Sequence, residues 1–461
     1  MTQPLIDAVT VVATEQIGSE PSLARRLGAF DATMIVMGGI IGSGIFVNPS
    51  VVARAVHTPL LVIGAWVAGG IIALIGAFVY GELARLRPDV GGQYAYLRDA
   101  YHPIVAFLYG WTLLLVVQTG GMAGSAIIFG RYTRELTGWA MPESAIAAIA
   151  LGILTLVNCF GVRAGSNVQS ALMITKLAAI GMLIVVGFLL AAPAAHVAAA
   201  SLPNGTGGIA GFGAAMVPVL FAYGGWQTAS FVSGEMRDSR RDLPRGLLIG
   251  VVGVITLYLA VTIVCLLVLG VDGLAATSTP ASMVLRSALG QRGAQLIALG
   301  IAISTVGFLS QSVLTAPRAY FAMARDGVFF KAVGRLDPRS RVPVVAIVLQ
   351  GVWAAIIALT GKYDQILNYV VSIDVLFFGL TGASLLVFRS RDARATTPAP
   401  AGVRVPGHPV TTMVFVAACW AISASTIVQY PQNAGIGVVI LLVGAAVYWL
   451  WMRRTGPHKE V

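Results

Sequence analysis

Two glycine-rich strings stand out as places where this chain could do chemistry, and it is chemistry of the backbone. MGGIIGSGIFVNPS (37–50) sets Gly38, Gly39, Gly42 and Gly44 in the middle of an apolar run. FAYGGWQTAS (221–230) sets Gly224 and Gly225 in the middle of another, with Pro218 just before it. A glycine inside a helix costs about 1 kcal/mol. Small residues also let membrane helices pack closely, so one such string alone would mean little. Two of them, five apolar segments apart, predict a pair of discontinuous helices belonging to an inverted repeat, with a binding site between the repeats. Each break frees N–H groups at the start of one half-helix and carbonyls at the end of the other. The first suits a carboxylate and the second an ammonium. A ligand bearing both on one carbon is an amino acid.

Few side chains compete for a catalytic role. Lys176 lies about 13 Å along its helix from Asn167, at 1.5 Å per residue. A charge at that depth costs about 2.5–3.5 kcal/mol. It either snorkels to the interface or serves a function. Glu82, beside Tyr80, and Asp374 are carboxylates in or near apolar runs, and each reads equally as a functional group or a helix-locking ion pair. Asp31 reads as a helix N-cap. The five histidines fall near segment ends or in loops, and none pairs with metal-ligand spacing. No catalytic cluster appears within a helix, and the glycine spacing of GGIIGSG does not fit a nucleotide loop. No enzyme, metal or cofactor is therefore expected.

The elements that must position these groups are membrane helices. Of 461 residues, 57% are hydrophobic and 11% charged, and the mean hydropathy is +0.84. So few charges cannot cover a soluble surface. The three cysteines, Cys159, Cys265 and Cys419, lie in apolar runs and imply no disulfide framework. Twelve apolar segments follow one another: 29–54, 59–86, 103–130, 144–160, 168–192, 209–234, 246–270, 291–322, 342–360, 364–389, 410–428 and 433–452. Each is close to or above the roughly 20 residues that span a bilayer. With the N-terminus inside, 23 Lys and Arg fall in cytoplasmic segments and 6 outside. That bias predicts cytoplasmic termini, and it accounts for the net charge of +11 without nucleic acid as a partner. No signal peptide is expected before the first segment. The division is a cytoplasmic N-terminal segment (1–26), a first five-helix repeat (27–192), a second (207–390), a proline-rich cytoplasmic linker (391–409), two further helices (410–452) and a cytoplasmic tail (453–461).

Four strings carry a family resemblance: GGIIGSGIF at 38–46, YGELARLRPDVGGQYAYLRDAY at 80–101, FAYGGW at 221–226 and RVPGHP at 404–409. On these the chain resembles the amino acid–polyamine–organocation superfamily, most closely its L-type amino acid transporter branch. The resemblance implies an all-α integral membrane protein of twelve transmembrane helices with a LeuT-like 5+5 inverted repeat. It implies that the substrate carboxylate meets the amides of Gly42, Ser43 and Gly44, following Ile41. It also implies that the substrate amine meets the carbonyls of Ile40, Phe221 and Gly224. Phe221, beside Ala222, would close over the substrate as a gate, with Tyr223 and Trp226 flanking the break. Lys176 would stand where sodium-coupled relatives hold sodium, tying the first break to its neighbours, with Ser304 and Thr305 as candidate partners. Animal members carry a cysteine between the third and fourth helices that joins a heavy subunit. The stretch 131–143 has none here, so a stand-alone permease in a plasma (inner) membrane is expected, with an amino acid and membrane lipid as its partners.

These readings converge on sodium-independent exchange of neutral L-amino acids by alternating access. Proton symport through Lys176 is the alternative, since a buried ammonium can release its proton. A non-transporting receptor on the same fold would be expected to carry a longer cytoplasmic tail. A polyamine carrier would want acidic residues at the breaks, and neither string has one.

Overall fold

Proline and glycine punctuate the helices. The computed structural model describes residues 27–88, 91–160, 165–191, 209–338, 342–394 and 402–455. The segment 1–26, the repeat edges at 192 and 207–208, linker positions 395–401 and the tail from 456 lie outside the described residues. The first apolar run forms α1 (Ala29–Ile40), a 3-10 turn (Gly44–Phe46) and α2 (Asn48–Val56). Then come α3 (Pro59–Leu86), α4 (Gln93–Ala100) and α5 (Pro103–Thr112). A π-helical turn (Leu113–Val117) joins α5 to α6 (Gln118–Thr137), followed by α7 (Glu143–Cys159) and α8 (Gly165–Leu189). The second glycine-rich run holds α9 (Ile209–Tyr223) and the single turn α10 (Thr228–Phe231). The rest of the chain forms α11 (Ser239–Ala276), α12 (Pro280–Thr315), α13 (Pro317–Arg325), α14 (Val344–Thr360), α15 (Tyr363–Asp392), α16 (Val410–Gln429) and α17 (Pro431–Thr455).

Proline sits in the first turn of α2, α3, α5, α12 and α13. Its missing N–H costs nothing there, and its fixed φ already suits a helix. Asp31 caps α1 from inside the first turn, not from the cap position: its Oδ2 accepts the Gly28 N–H at 2.9 Å.

Among the described residues, eight helical runs are long and apolar enough to cross a membrane, and α1, α7 and α14 are shorter apolar helices. No strand is formed among the described residues; one parallel bridge joins Leu27 to Met236. The chain is thus a multi-pass, all-helical membrane protein. Large apolar side chains such as Leu60, Phe160, Leu189 and Val428 stand exposed on its outside, as lipid-facing surface requires. Inside, α11 packs along α1 and α3, α12 packs on α6 and α8, and α15 packs on α16.

Two local features differ from the sequence reading. The charged string after α3 contains a helix, α4, whose Gln93 donates to Thr381 at 3.0 Å and accepts from Tyr109 at 3.1 Å. Its polar pattern hid it. The eighth apolar run, expected from 291, does begin just past a non-helical Gly290 (φ 64, ψ -155), but a further helical stretch from Pro280 leads into it across that kink. Glu82 is buried at the end of α3. Its two oxygens take a fork from Arg389 (2.8 and 2.8 Å) and the Val405 N–H (2.7 Å), with Arg85 at 3.4 Å. This carboxylate ties α3 to α15 and to the stretch leading into α16. Tyr94 and Arg98 of α4 both reach Asp326, at 2.8 and 2.9 Å. Burial, and then the Asp326 carboxylate, push the Tyr94 phenol above its usual range, so it remains a donor.

Candidate functional site: a cavity between two helix breaks

Helix α1 stops at Ile40, and Ile41 leaves helical geometry at ψ 84. The Gly42 amide folds back onto the Ile40 carbonyl at 2.8 Å. The amides of Ser43 and Gly44 have no protein acceptor among the described residues. The Ser43 hydroxyl is buried and likewise without a partner. In the other break, α9 ends at Tyr223. The Gly225 N–H is diverted to the Gln227 side chain at 2.9 Å, away from the Phe221 carbonyl it would meet in a continuous helix. The carbonyls of Phe221, Ala222 and Gly224 therefore have no donor among the described residues.

The two breaks touch. Gly225 has φ +108, a left-handed conformation in which a side chain is strained. A Cβ there would overlap the Gly39 carbonyl oxygen, and a Cβ on Gly39 would come within 2.8 Å of the Gly225 oxygen. Only a glycine pair allows the approach.

Between the breaks lies a cavity whose empty space, together with the part open to solvent, comes to ≈ 780 Å³. Ile40, Gly42, Ser43 and Gly44 line one side, and Phe221, Ala222 and Gly224 the other. Ile41, Tyr223 and Trp226 do not line it. Tyr223 donates to the Trp66 carbonyl at 3.2 Å, and Trp226 packs on Phe378 with ring centres 4.8 Å apart. Phe221 meets Tyr363 edge-on at 6.3 Å. The Ile40 carbonyl is already taken by the Gly42 amide and the Tyr258 hydroxyl (3.0 Å), which leaves Phe221, Ala222 and Gly224 as the open acceptors.

Lys176 is 1% exposed, and its Nζ donates to the carbonyls of Gly38 (3.2 Å) and Ile41 (2.9 Å). These end α1, so the ammonium sits at the negative end of that half-helix. Among the described residues no hydrogen bond joins it to Ser304 or Thr305. Thr305 donates to Ile301 in its own helix, and the Ser304 hydroxyl is buried unpartnered. Gly307 provides the space instead, since a Cβ there would come within 3.2 Å of the lysine Cε.

Sequence reasoning missed several lining residues: Gln118, Ser125, Gln227, Thr228, Gln311 and Ser312. Polar residues inside apolar runs were the available signal. Asn48 carried the same signal. It holds the start of α2 by donating to Pro218 (2.7 Å) and accepting from Tyr363 (2.9 Å).

The site is thus a cavity in a bundle of membrane helices, framed by free backbone amides on one side and free carbonyls on the other. The chain belongs to the amino acid permease family, whose pattern matches residues 27–451. It is 30% identical over 443 residues to the serine/threonine exchanger SteT of Bacillus subtilis (strain 168), covering 94% of this chain and 98% of that one. It is 28% identical to the large neutral amino acids transporter small subunit 2 of Homo sapiens (94% and 81% covered) and 29% identical to the b(0,+)-type amino acid transporter 1 of Homo sapiens (88% and 84%).

Proposed function

We propose that the protein is a sodium-independent exchanger of amino acids, with neutral L-amino acids as its basic substrate set. The observation that carries the reading is the pairing of the free Ser43 and Gly44 amides with the free Phe221, Ala222 and Gly224 carbonyls across one cavity. The amides complement an α-carboxylate and the carbonyls an α-ammonium. Phe221 reaches the cavity from the end of α9 and is the candidate gate. The tethered ammonium of Lys176 at the end of α1 supports sodium independence, because it supplies a positive charge where an ion would otherwise serve. The names of the relatives, an exchanger among them, favour exchange.

The proposed architecture has twelve spans in two inverted five-helix repeats, 27–192 and 207–390, in a LeuT-like arrangement, followed by the linker 391–409 and two further helices. Both termini would be cytoplasmic, in the plasma (inner) membrane. Lacking a cysteine at 131–143, the protein would work without a disulfide-linked heavy subunit.

The test uses purified protein in liposomes loaded with an unlabelled amino acid. Labelled alanine is offered outside, with no sodium and no pH gradient. Uptake that requires internal amino acid is the expected result. Uptake into empty liposomes, raised by an inward proton gradient, would replace exchange by proton symport through Lys176. No uptake for any amino acid, by protein shown to be folded, would overturn the assignment.

A further inference from the structure

Helix α15 turns one stripe toward the cavity, with Val370, Val371, Asp374, Val375 and Phe378 all lining it. These positions recur at helical spacing, and four of the five are apolar. Asp374 is the exception. Its Oδ1 is buried without a partner, and no hydrogen bond or ion pair reaches the side chain among the described residues. The contrast with Glu82, held by an arginine fork and a backbone amide, is complete.

Among the described lining residues, Asp374 is the one ionisable side chain, and no Lys, Arg or His faces it there. Lys176 is not part of the lining and is engaged with Gly38 and Ile41. An uncompensated carboxylate is costly inside a membrane and marks a ligand or ion pathway. A zwitterion bound between the two breaks has both charges answered by backbone groups, which leaves the Asp374 carboxyl group without an answering partner. A substrate with a second positive charge on its side chain would supply that partner.

We propose that Asp374 is a side-chain subsite that pairs with an ammonium or guanidinium, so that the substrate range extends to amino acids with cationic side chains. The inference rests on the amino acid reading of the same cavity. It locates specificity on α15 and leaves recognition of the common amino acid core to the breaks.

Lysine and norleucine share a linear four-carbon side chain and differ by the terminal ammonium, so they isolate the claim. In liposomes loaded with alanine, each is used to compete with labelled alanine uptake. The expected result is that lysine competes at about tenfold lower concentration than norleucine, and that Asp374→Asn collapses this ratio by about tenfold or more. A second readout needs no transport: lysine should raise the melting temperature of detergent-solubilised wild-type protein more than norleucine does, and Asp374→Asn should abolish that difference. Norleucine winning in the wild type, or an unchanged ratio in a folded variant, overturns the proposal. So does norleucine uptake that rises with acidification or with sodium while lysine gains nothing, since a proton or metal ion would then be answering the carboxylate. Failure of the amino acid reading looks different: neither compound competes and neither shifts the melting temperature, and both readings fall together.

Discussion

At the scale of single residues, the lone lysine of the apolar core and the hydroxyl of Ser43 do opposite things. Lys176 satisfies two carbonyls, Gly38 and Ile41, that a helix has abandoned. Replacing it with methionine keeps the bulk and removes the donors. A buried acceptor left unpaired costs about 1–3 kcal/mol, so Lys176→Met should lower the melting temperature by several degrees and abolish exchange, as scanning calorimetry and liposome uptake would record. Ser43 has a buried hydroxyl with no protein partner. Ser43→Ala should leave the melting temperature unchanged or slightly higher. If that hydroxyl meets the substrate carboxylate, KM should rise several-fold, and the split between stability and KM is what the assay reads. The position of Lys176 was legible because one charge in an apolar run must be explained. Its acceptors were not, because a sequence gives the depth of a residue along its own helix and not which neighbouring backbone it meets. For the same reason Ser304 and Thr305 were candidates, while the space beside the lysine is made by Gly307.

At the scale of elements, the breaks were legible as glycine clusters and a nearby proline. That they touch was not. The contact depends on the φ of Gly225 and on the path of α1 against α10, which are tertiary facts. Gly225→Ala combines a strained positive φ with overlap on the Gly39 carbonyl. It should yield little folded protein and no exchange, measured by size-exclusion profile and uptake. Helix α4 escaped the sequence reading because its stability comes from neighbours, Gln93 to Thr381 and Tyr94 to Asp326, and not from an apolar stripe. The two carboxylates that the sequence could not tell apart are separated by their surroundings. Glu82 is spent on Arg389 and Val405, whereas Asp374 faces the cavity unpaired.

At the scale of the whole molecule, composition alone was enough for the class. A chain with 11% charged residues and long apolar runs has to be a membrane bundle. Orientation rests on the bias of Lys and Arg and can be checked directly. In a cysteine-free background, a membrane-impermeant thiol reagent added to intact cells should label Thr137→Cys, at the exposed last residue of α6, and should reach Arg240→Cys only after permeabilisation. The reverse pattern would invert the topology. The bare meeting of Gly39 and Gly225 has one more consequence, and it concerns heredity. Any coding change in a glycine codon adds a side chain, so neither position offers a neutral step for drift, and neither can be repaired by changing the other. Gly152 and Gly181, with open space around their missing Cβ, are free to wander. In a population of descendants of this gene, the first pair should stay fixed while the second diversifies, and the line between them follows the contact of the two broken helices.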